Sequence, residues 1–265
     1  MSDSALDIQI DARGVAHLTL DRPDVLNAFD ESLIAQIAHA FLTLEANPQV
    51  RVILLSARGR VFCAGADVAW MRRAAANTHE DNLIDARRFA GMMHAIQSSS
   101  RPVVARVQGG AYGGGVGLIC AADIVIAAEH AVFSVSEAKL GILPAVIGPY
   151  LTNAVGLRQA RRLALTASSI TAAEALSIGL VHEIAPEAQL DGAVEKTLGD
   201  LLRCGPHAQA EIKKLFGTFS VGPITEDVRD RTASAIAQVR AGPEAKEGFG
   251  AFTEKRKPAW TVDVE

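Results

Sequence analysis

The chain reads as an α/β protein with a helical C-terminal region, and three observations carry that reading. Strand-length apolar runs alternate with amphipathic helical stretches as far as about residue 190, which is the rhythm of βαβ units. From Pro206 onward only helical periodicity remains. Turns of small residues follow two of the strand-like runs, where a chain changes from strand to helix.

Taken in order, Leu6 to Ile10 and Val15 to Leu20 alternate apolar with polar residues, and Asp11-Ala12-Arg13-Gly14 joins them as a hairpin. Glu31 to Leu44 places Leu33, Ile34, Ile37, Ala38, Phe41 and Leu42 on one helical face, with Asp30 as its cap. Val50 to Ser56 is a strand, buried over Arg51 to Leu55. Asp81 to Gln97 is a helix that turns Leu83, Ile84, Met92, Met93 and Ile96 mostly inward. Val103 to Val107, Ile124 to Ala127 and Val132 to Val135 are strands. Gly217 to Pro223 and Gly242-Pro243 break the helical tail, which begins near a Leu190 to Cys204 helix.

A chain of 265 residues can bury a substantial core, as one large domain or one with a helical appendage. With 49% hydrophobic residues it is not disordered, and a net charge of −4 argues against nucleic acid as a partner. Cys63, Cys120 and Cys204 form no Cys-x-x-Cys and read as reduced thiols of a cytoplasmic protein. Met1 to Asp7 is polar and acidic, unlike a signal peptide. The apolar window Val116 to Phe133 carries Asp123 and Glu129, which favours a buried helix and strand over a membrane span.

Chemistry concentrates first in Gly109-Gly110-Ala111-Tyr112-Gly113-Gly114-Gly115-Val116-Gly117. Six glycines in nine positions are costly to order, and the return is a backbone that approaches a ligand with helix-start N–H groups aimed at negative charge. The spacing fits neither a P-loop nor a dinucleotide fingerprint. A second turn, Ala64-Gly65-Ala66-Asp67, follows the Val50 to Ser56 strand. Each turn could offer one backbone N–H to a single oxygen, forming an oxyanion hole. Cys63, beside this turn and with no base near it in sequence, reads as a packing residue.

These two turns, with Phe133 to Pro144 downstream, Leu20-Asp21-Arg22-Pro23, Leu26-Asn27-Ala28 and the tail Ala251 to Pro258, resemble the crotonase superfamily of acyl-CoA enzymes almost end to end. The resemblance implies a spiral of ββα turns over residues 1–195 and a helical region used in trimer assembly over 196–265, as a homotrimer or dimer of trimers. It implies oxyanion donors at the backbone N–H of Ala66 and Gly114, with Glu137 as general base or acid. Ala64, Gly65, Asp67 and Val68 would cradle pantetheine and thioester, and Gly113, Gly115 and Gly117 would lie along the acyl side. Val25 and Leu26 would meet adenine and ribose, and Arg22 a phosphate. Lys255, Arg256 and Lys257 could add phosphate contacts, including to a neighbouring subunit. No cofactor is implied beyond the coenzyme A of the substrate.

One departure matters. The two-glutamate hydratases of the superfamily carry their other glutamate where Gly117 stands, so a two-carboxylate mechanism does not transfer. Ser136 to Tyr150 and Ala64 to Met71 look like the branch acting on glutaconyl-type acyl-CoAs, branched substrates with a distal carboxylate. Such a substrate needs a cation; Lys139, sharing a face with Glu137 on an extended segment, is one candidate, and Arg72 and Arg73 are others. The expected activity is reversible hydration of a branched 2-enoyl-CoA. Isomerisation, decarboxylation and acyl-CoA binding without turnover stay open. The seven histidines have no metal-ligand spacing, and no Gly-x-Ser-x-Gly elbow occurs.

Overall fold

The computed structural model describes residues 5–262, so Met1 to Ser4 of the polar start lie outside the described residues. A hairpin of β1 (Leu6–Ile10) and β2 (Val15–Leu20) opens the chain, with Leu6 opposite Leu20. Then α1 (Glu31–Ala46) starts at Asp30, whose carboxylate accepts from Leu33 N–H at 2.8 Å. Its buried stripe ends on Phe41 and Leu44; Leu42, expected inward, falls off the stripe and is 65% exposed. β3 (Val52–Ala57), α2 (Val68–Ala76), α3 (His79–Ser98) and β4 (Val103–Val107) follow. In α3, Met92, Met93 and Ile96 are buried, whereas Leu83 and Ile84 are exposed because that end of the helix projects past the core.

The middle of the chain is β5 (Gly110–Tyr112), α4 (Gly114–Ala121), β6 (Ile124–Ala128), β7 (Val132–Ser134) and α5 (Gly148–Thr166), which is broken at Gly156. After it come β8 (Ser169–Thr171), α6 (Ala172–Ser177), β9 (Glu183–Ala185) and α7 (Leu190–Leu202). The tail is α8 (Pro206–Phe216), α9 (Glu226–Ala241) and α10 (Pro243–Thr253). Among the described residues no helix is long and apolar enough to cross a membrane.

Six strands form one sheet in the order β1-β2-β3-β4-β6-β9, parallel throughout except for the first hairpin. A smaller sheet, β5-β7-β8, is extended by single bridges at Phe29–Ala66 and Cys63–Ala111. The chain therefore visits the large sheet, then the small sheet, then a helix, and repeats: β2, Phe29, α1; β3, Cys63 to Ala66, α2 and α3; β4, β5, α4; β6, β7, α5. This is the ββα spiral, and it is the crotonase fold.

Period-2 alternation assigns each strand residue to a core. Ile53, Leu55, Val103, Ala105, Val125 and Ala127 join the main core under α1, α3 and α4. Their neighbours Val52, Leu54, Val104, Ile126 and Ala128 point the other way, onto Leu190, Val194, Leu198 and Leu202 of α7. A strand buried on both faces reads as an unbroken apolar run, as β3 does. The division expected after residue 195 cuts through α7, whose whole apolar face is on the sheet, so the helical appendage starts at α8. Polar ties hold that appendage. Lys213 Nζ donates to Asp123 and to Arg101 O, and Arg51 donates to Cys204 O and Trp260 O.

Asn27 is the buried polar keystone of the first turn. It is fully buried at φ 56°, a left-handed conformation that asparagine tolerates better than most residues. Its amide nitrogen donates to Arg58 O and Val61 O at 2.8 and 2.9 Å, and its carbonyl accepts from Arg22 N–H at 2.9 Å. Asn27→Ala strands all three partners, and the expected loss is about 3 kcal/mol. Thermal unfolding should move down by roughly 5–12 °C; an unchanged midpoint would show that the bonds contribute little.

Candidate active site

The first donor turn is sewn to the segment before α1. Ala64 N–H donates to Leu26 O, Phe29 N–H to Gly65 O and Asp67 N–H to Phe29 O. In that parallel bridge Ala66 is the residue whose own N–H points away from Phe29, and it makes no hydrogen bond among the described residues. Gly65 takes φ +89°, and a Cβ there would stand 2.8 Å from Tyr112 O. Only glycine lets this turn lie against the second one.

The second turn begins at Gly113, with φ +49°, and its N–H is bonded to Ser134 O at 2.8 Å. Gly114 opens α4, so its amide is one of the helix-start donors without an intrahelical partner, and none is found elsewhere in the described chain. The glycines have different steric reasons. A Cβ on Gly113 would come within 3.2 Å of Glu137 Oε1, and one on Gly114 within 3.0 Å of the Phe29 ring. One on Gly115 would strike Cys63 O at 2.7 Å.

Glu137 follows β7 on a single 3-10 turn, Glu137–Leu140. Its Oε2 is buried without a hydrogen-bond partner. Burial raises its carboxyl above the ordinary glutamate value, against a weaker opposing pull from its own backbone N–H. The acid and both donor turns line one cavity of about 340 Å³. Its apolar wall comes from α2 (Trp70, Met71, Ala74), α3 (Ala86, Phe89) and the segment from Leu140 to Ile147. Phe29 and Phe89 both line it, their rings tilted by 51° with centroids 5.7 Å apart. Such a chamber can stabilise a developing oxyanion at its two amides and move a proton at its acid.

Of the residues read from the sequence, Ala64, Gly65, Ala66, Gly113, Gly114 and Glu137 line this cavity. Gly115 and Gly117 do not: both are buried behind it, Gly115 on Cys63 and Gly117 on Ile147. Cys63 is fully buried and its thiol is pushed up to about 12, which leaves it inert at neutral pH. Asp67 caps α2, and Val68 is exposed at its first turn. Val25 is exposed on the Pro23–Val25 turn beside Leu26.

The cations behave differently from expectation. Lys139 lies on a 3-10 turn and not on an extended segment, so two residues' separation does not place it beside Glu137; it is exposed and outside the cavity wall. Arg73 is held by Glu31 at 2.7 Å, and Arg72 is exposed. Arg22 is closed on Asp30 and Asp67. Arg256 of the basic tail pairs with Glu247 and Glu254.

Sequence reasoning missed Asn27 and Ile147, and missed the α2–α3 wall. Asn27 carried a signal, an asparagine between Leu26 and Ala28 in an otherwise apolar run. Ile147 carried none, since only packing shows that it fills the space beside Gly117. A Cβ at 117 would meet Ile147 Cγ2 at 2.3 Å.

Two backbone donors and a buried acid around one apolar chamber, on a ββα spiral, define an acyl-thioester enzyme of the crotonase class. Comparison with known proteins agrees. The family model described as enoyl-CoA hydratase/isomerase matches residues 11–263. A crystal structure of an enoyl-CoA hydratase from Shewanella pealeana superposes with TM-score 0.94 at 41% identity, covering 98% of this chain and 97% of that one. Pseudomonas aeruginosa AtuE superposes with TM-score 0.93 at 36% identity, covering 98% and 100%. Carnitinyl-CoA dehydratase of Escherichia coli O157:H7 is 32% identical over 259 residues, 93% of this chain and 94% of that protein. The chain belongs to the enoyl-CoA hydratase/isomerase family, and it is an enzyme.

Two outcomes follow from the site. Gly117→Glu should cost about 1–3 kcal/mol by overpacking, and Ile147→Ala in the same chain should recover part of that loss in thermal unfolding. Equal midpoints for Gly117→Glu and the unaltered protein would refute the clash. Glu137→Gln should raise the unfolding midpoint at neutral pH, because the native carboxyl binds its proton more tightly than the unfolded one. The native-state penalty is absent below the unfolded value near 4.5, grows as pH rises through it, and is complete above the folded value. The two proteins should therefore converge in acid; a constant difference across pH would contradict the burial argument.

Proposed function

We propose that this enzyme adds water reversibly across the 2,3 double bond of an enoyl-CoA. The carrying observation is the buried, unpartnered oxygen of Glu137, sharing a cavity with two amides that have no acceptor among the described residues. The thioester oxygen sits between the N–H groups of Ala66 and Gly114. Glu137, as carboxylate, takes a proton from water as its oxygen attacks C3. Electrons move through C2 onto the thioester oxygen, and the enolate charge develops where the donors wait. The same carboxyl then returns the proton to C2, so one acid completes the addition and is regenerated. Donors that bind the enolate better than the ground state lower the barrier and not only KM.

On the acyl group, the cavity's ionisable side chains are Asp85 and Glu137. A glutaconyl-type distal carboxylate would meet negative charge there, with Lys139, Arg72 and Arg73 all outside the wall. A branched, uncharged chain suits Trp70, Met71, Phe89 and Leu143 better. Glu137, with Ile147 occupying the space beside Gly117 where a second glutamate would stand, favours one second reading, double-bond isomerisation, which needs a proton moved but no water added. The coenzyme A moiety enters past Ala64 and Val25, and the reaction uses no other cofactor. Subunit contacts, in a trimer or dimer of trimers, would use the apolar residues that the tail helices expose, among them Ile212, Phe216 and Phe252. The three unpaired thiols suit a reducing, cytoplasmic setting.

Loss of enoyl-thioester absorbance with crotonyl-CoA, a branched enoyl-CoA and a glutaconyl-type CoA tests this directly. Glu137→Gln should lower kcat by about 10²–10⁴ with little change in KM. Product one water heavier marks hydration; unchanged product mass marks isomerisation. Identical silent traces for both proteins would leave an acyl-CoA binder, and a preference for the glutaconyl substrate would overturn the charge argument.

A further inference from the structure

The geometry points to Arg22 as a positioning residue for the oxyanion hole, acting through Asp67 and Asp30 instead of touching a coenzyme A phosphate; this rests on the oxyanion-hole reading above. Arg22 Nη1 donates to Ala28 O at 2.7 Å and faces Asp30 Oδ2 at 2.9 Å, while Nη2 stands 3.6 Å from Asp67 Oδ2. The three side chains are 21%, 23% and 14% exposed, so the cluster is largely shielded from water.

Each aspartate has a second task. Asp30 Oδ1 caps α1 at Leu33 N–H, and Asp67 Oδ1 caps α2 by accepting from Ala69 N–H at 2.7 Å and Trp70 N–H at 3.2 Å. One guanidinium thus joins the first turns of two helices. Between those caps run the two short hydrogen bonds of the Phe29–Ala66 bridge, both 2.7 Å, which fix the peptide planes on either side of Ala66. Without the cation the two caps lose their common tether, and the cap residue adjoining Ala66 would be the one to move. A donor must sit within a few tenths of an ångström of its place to stabilise developing charge.

A phosphate role is disfavoured by the same contacts. The guanidinium already faces two carboxylates and a carbonyl, leaving the cluster with a net charge of about −1, which repels an anion.

The test uses Arg22→Gln, Arg22→Lys and Asp67→Asn, the last retaining a side-chain oxygen to cap α2. Each is assayed with crotonyl-CoA and with crotonyl-pantetheine, which has no phosphates. Acetoacetyl-CoA supplies a second readout, since the enolate absorbance of the bound β-ketoacyl thioester reports the oxyanion hole without turnover. For Arg22→Gln the expected result is a kcat lower by about tenfold to a hundredfold, equally on both substrates, with KM within about threefold and a weaker enolate band. Arg22→Lys should recover part of both readouts, and Asp67→Asn should reproduce the loss. A KM rise confined to crotonyl-CoA assigns Arg22 to phosphate and overturns the proposal. If Arg22→Gln does not fold, Asp67→Asn decides, and wild-type kcat and enolate band in that protein overturn it. Should the unaltered enzyme turn over neither substrate yet develop the enolate band, the hydratase reading fails while the positioning of the donors is still measured. If no band develops in the unaltered enzyme, both fall.

Discussion

The candidate site depends on two main-chain amides, those of Ala66 and Gly114, that have no hydrogen-bond partner among the described residues. A buried N–H with no acceptor is costly, and folds avoid it. Here the cost is imposed by geometry that the rest of the structure makes unavoidable. Ala66 is bridged to Phe29 on one side through the carbonyl before it and the amide after it, so its own N–H can only face the cavity. Gly114 is the first residue of α4, and its N–H precedes any carbonyl that the helix could offer. In the proposed reaction these two groups are the preorganised part, and the substrate oxygen would be the acceptor they lack.

The acid is held by the opposite device. Ala66 and Gly114 are fixed by hydrogen bonds around them, whereas Glu137 is defined by bonds it does not make. Its carboxyl opens onto an apolar wall, with a glycine alongside whose missing Cβ leaves room for Oε1. Desolvation then does what a charged neighbour does in other sites, bringing a carboxylic acid closer to the pH at which it can both take and return a proton. A second carboxylate from α4 is prevented by packing. Gly117 is not merely a shortened residue, since Ile147 fills the volume into which any side chain would have to grow. The single-acid site is thus a built arrangement in which two elements agree.

Much of this was legible in the sequence, and the reason is periodicity. The hairpin, α1 with its Asp30 cap, and the strands β3, β4, β6 and β7 announced themselves through alternation or apolar runs, and the donor turns through clustered glycine. The spiral came only through family resemblance, because its second sheet is built from strands of three residues and isolated bridges, too short to leave a pattern. The place of Lys139 was misread because four residues of 3-10 turn look like an extension of a strand when nothing in their composition marks the change. The packing of α7 was not legible either, since its apolar stripe looks the same whether it covers a sheet or leads a helical tail. Ile147 lay beyond one-dimensional reading, since it matters through Gly117, thirty residues earlier; Asn27 stood out as a polar residue in an apolar run, but its partners at 58 and 61 did not.

The donors and the chamber wall come from different parts of the polypeptide and from different kinds of atom. The proposed charge stabilisation comes from backbone at two loop-to-helix junctions, while the shape of the chamber is drawn by side chains of α2, α3 and the stretch ending at Ile147. Short of proline, a point mutation cannot delete a backbone N–H, but it can recontour the wall. Lineages built on this scaffold can accordingly drift in taste for one acyl chain or another while the reactive apparatus is inherited intact, and an engineer seeking new substrates has the same licence.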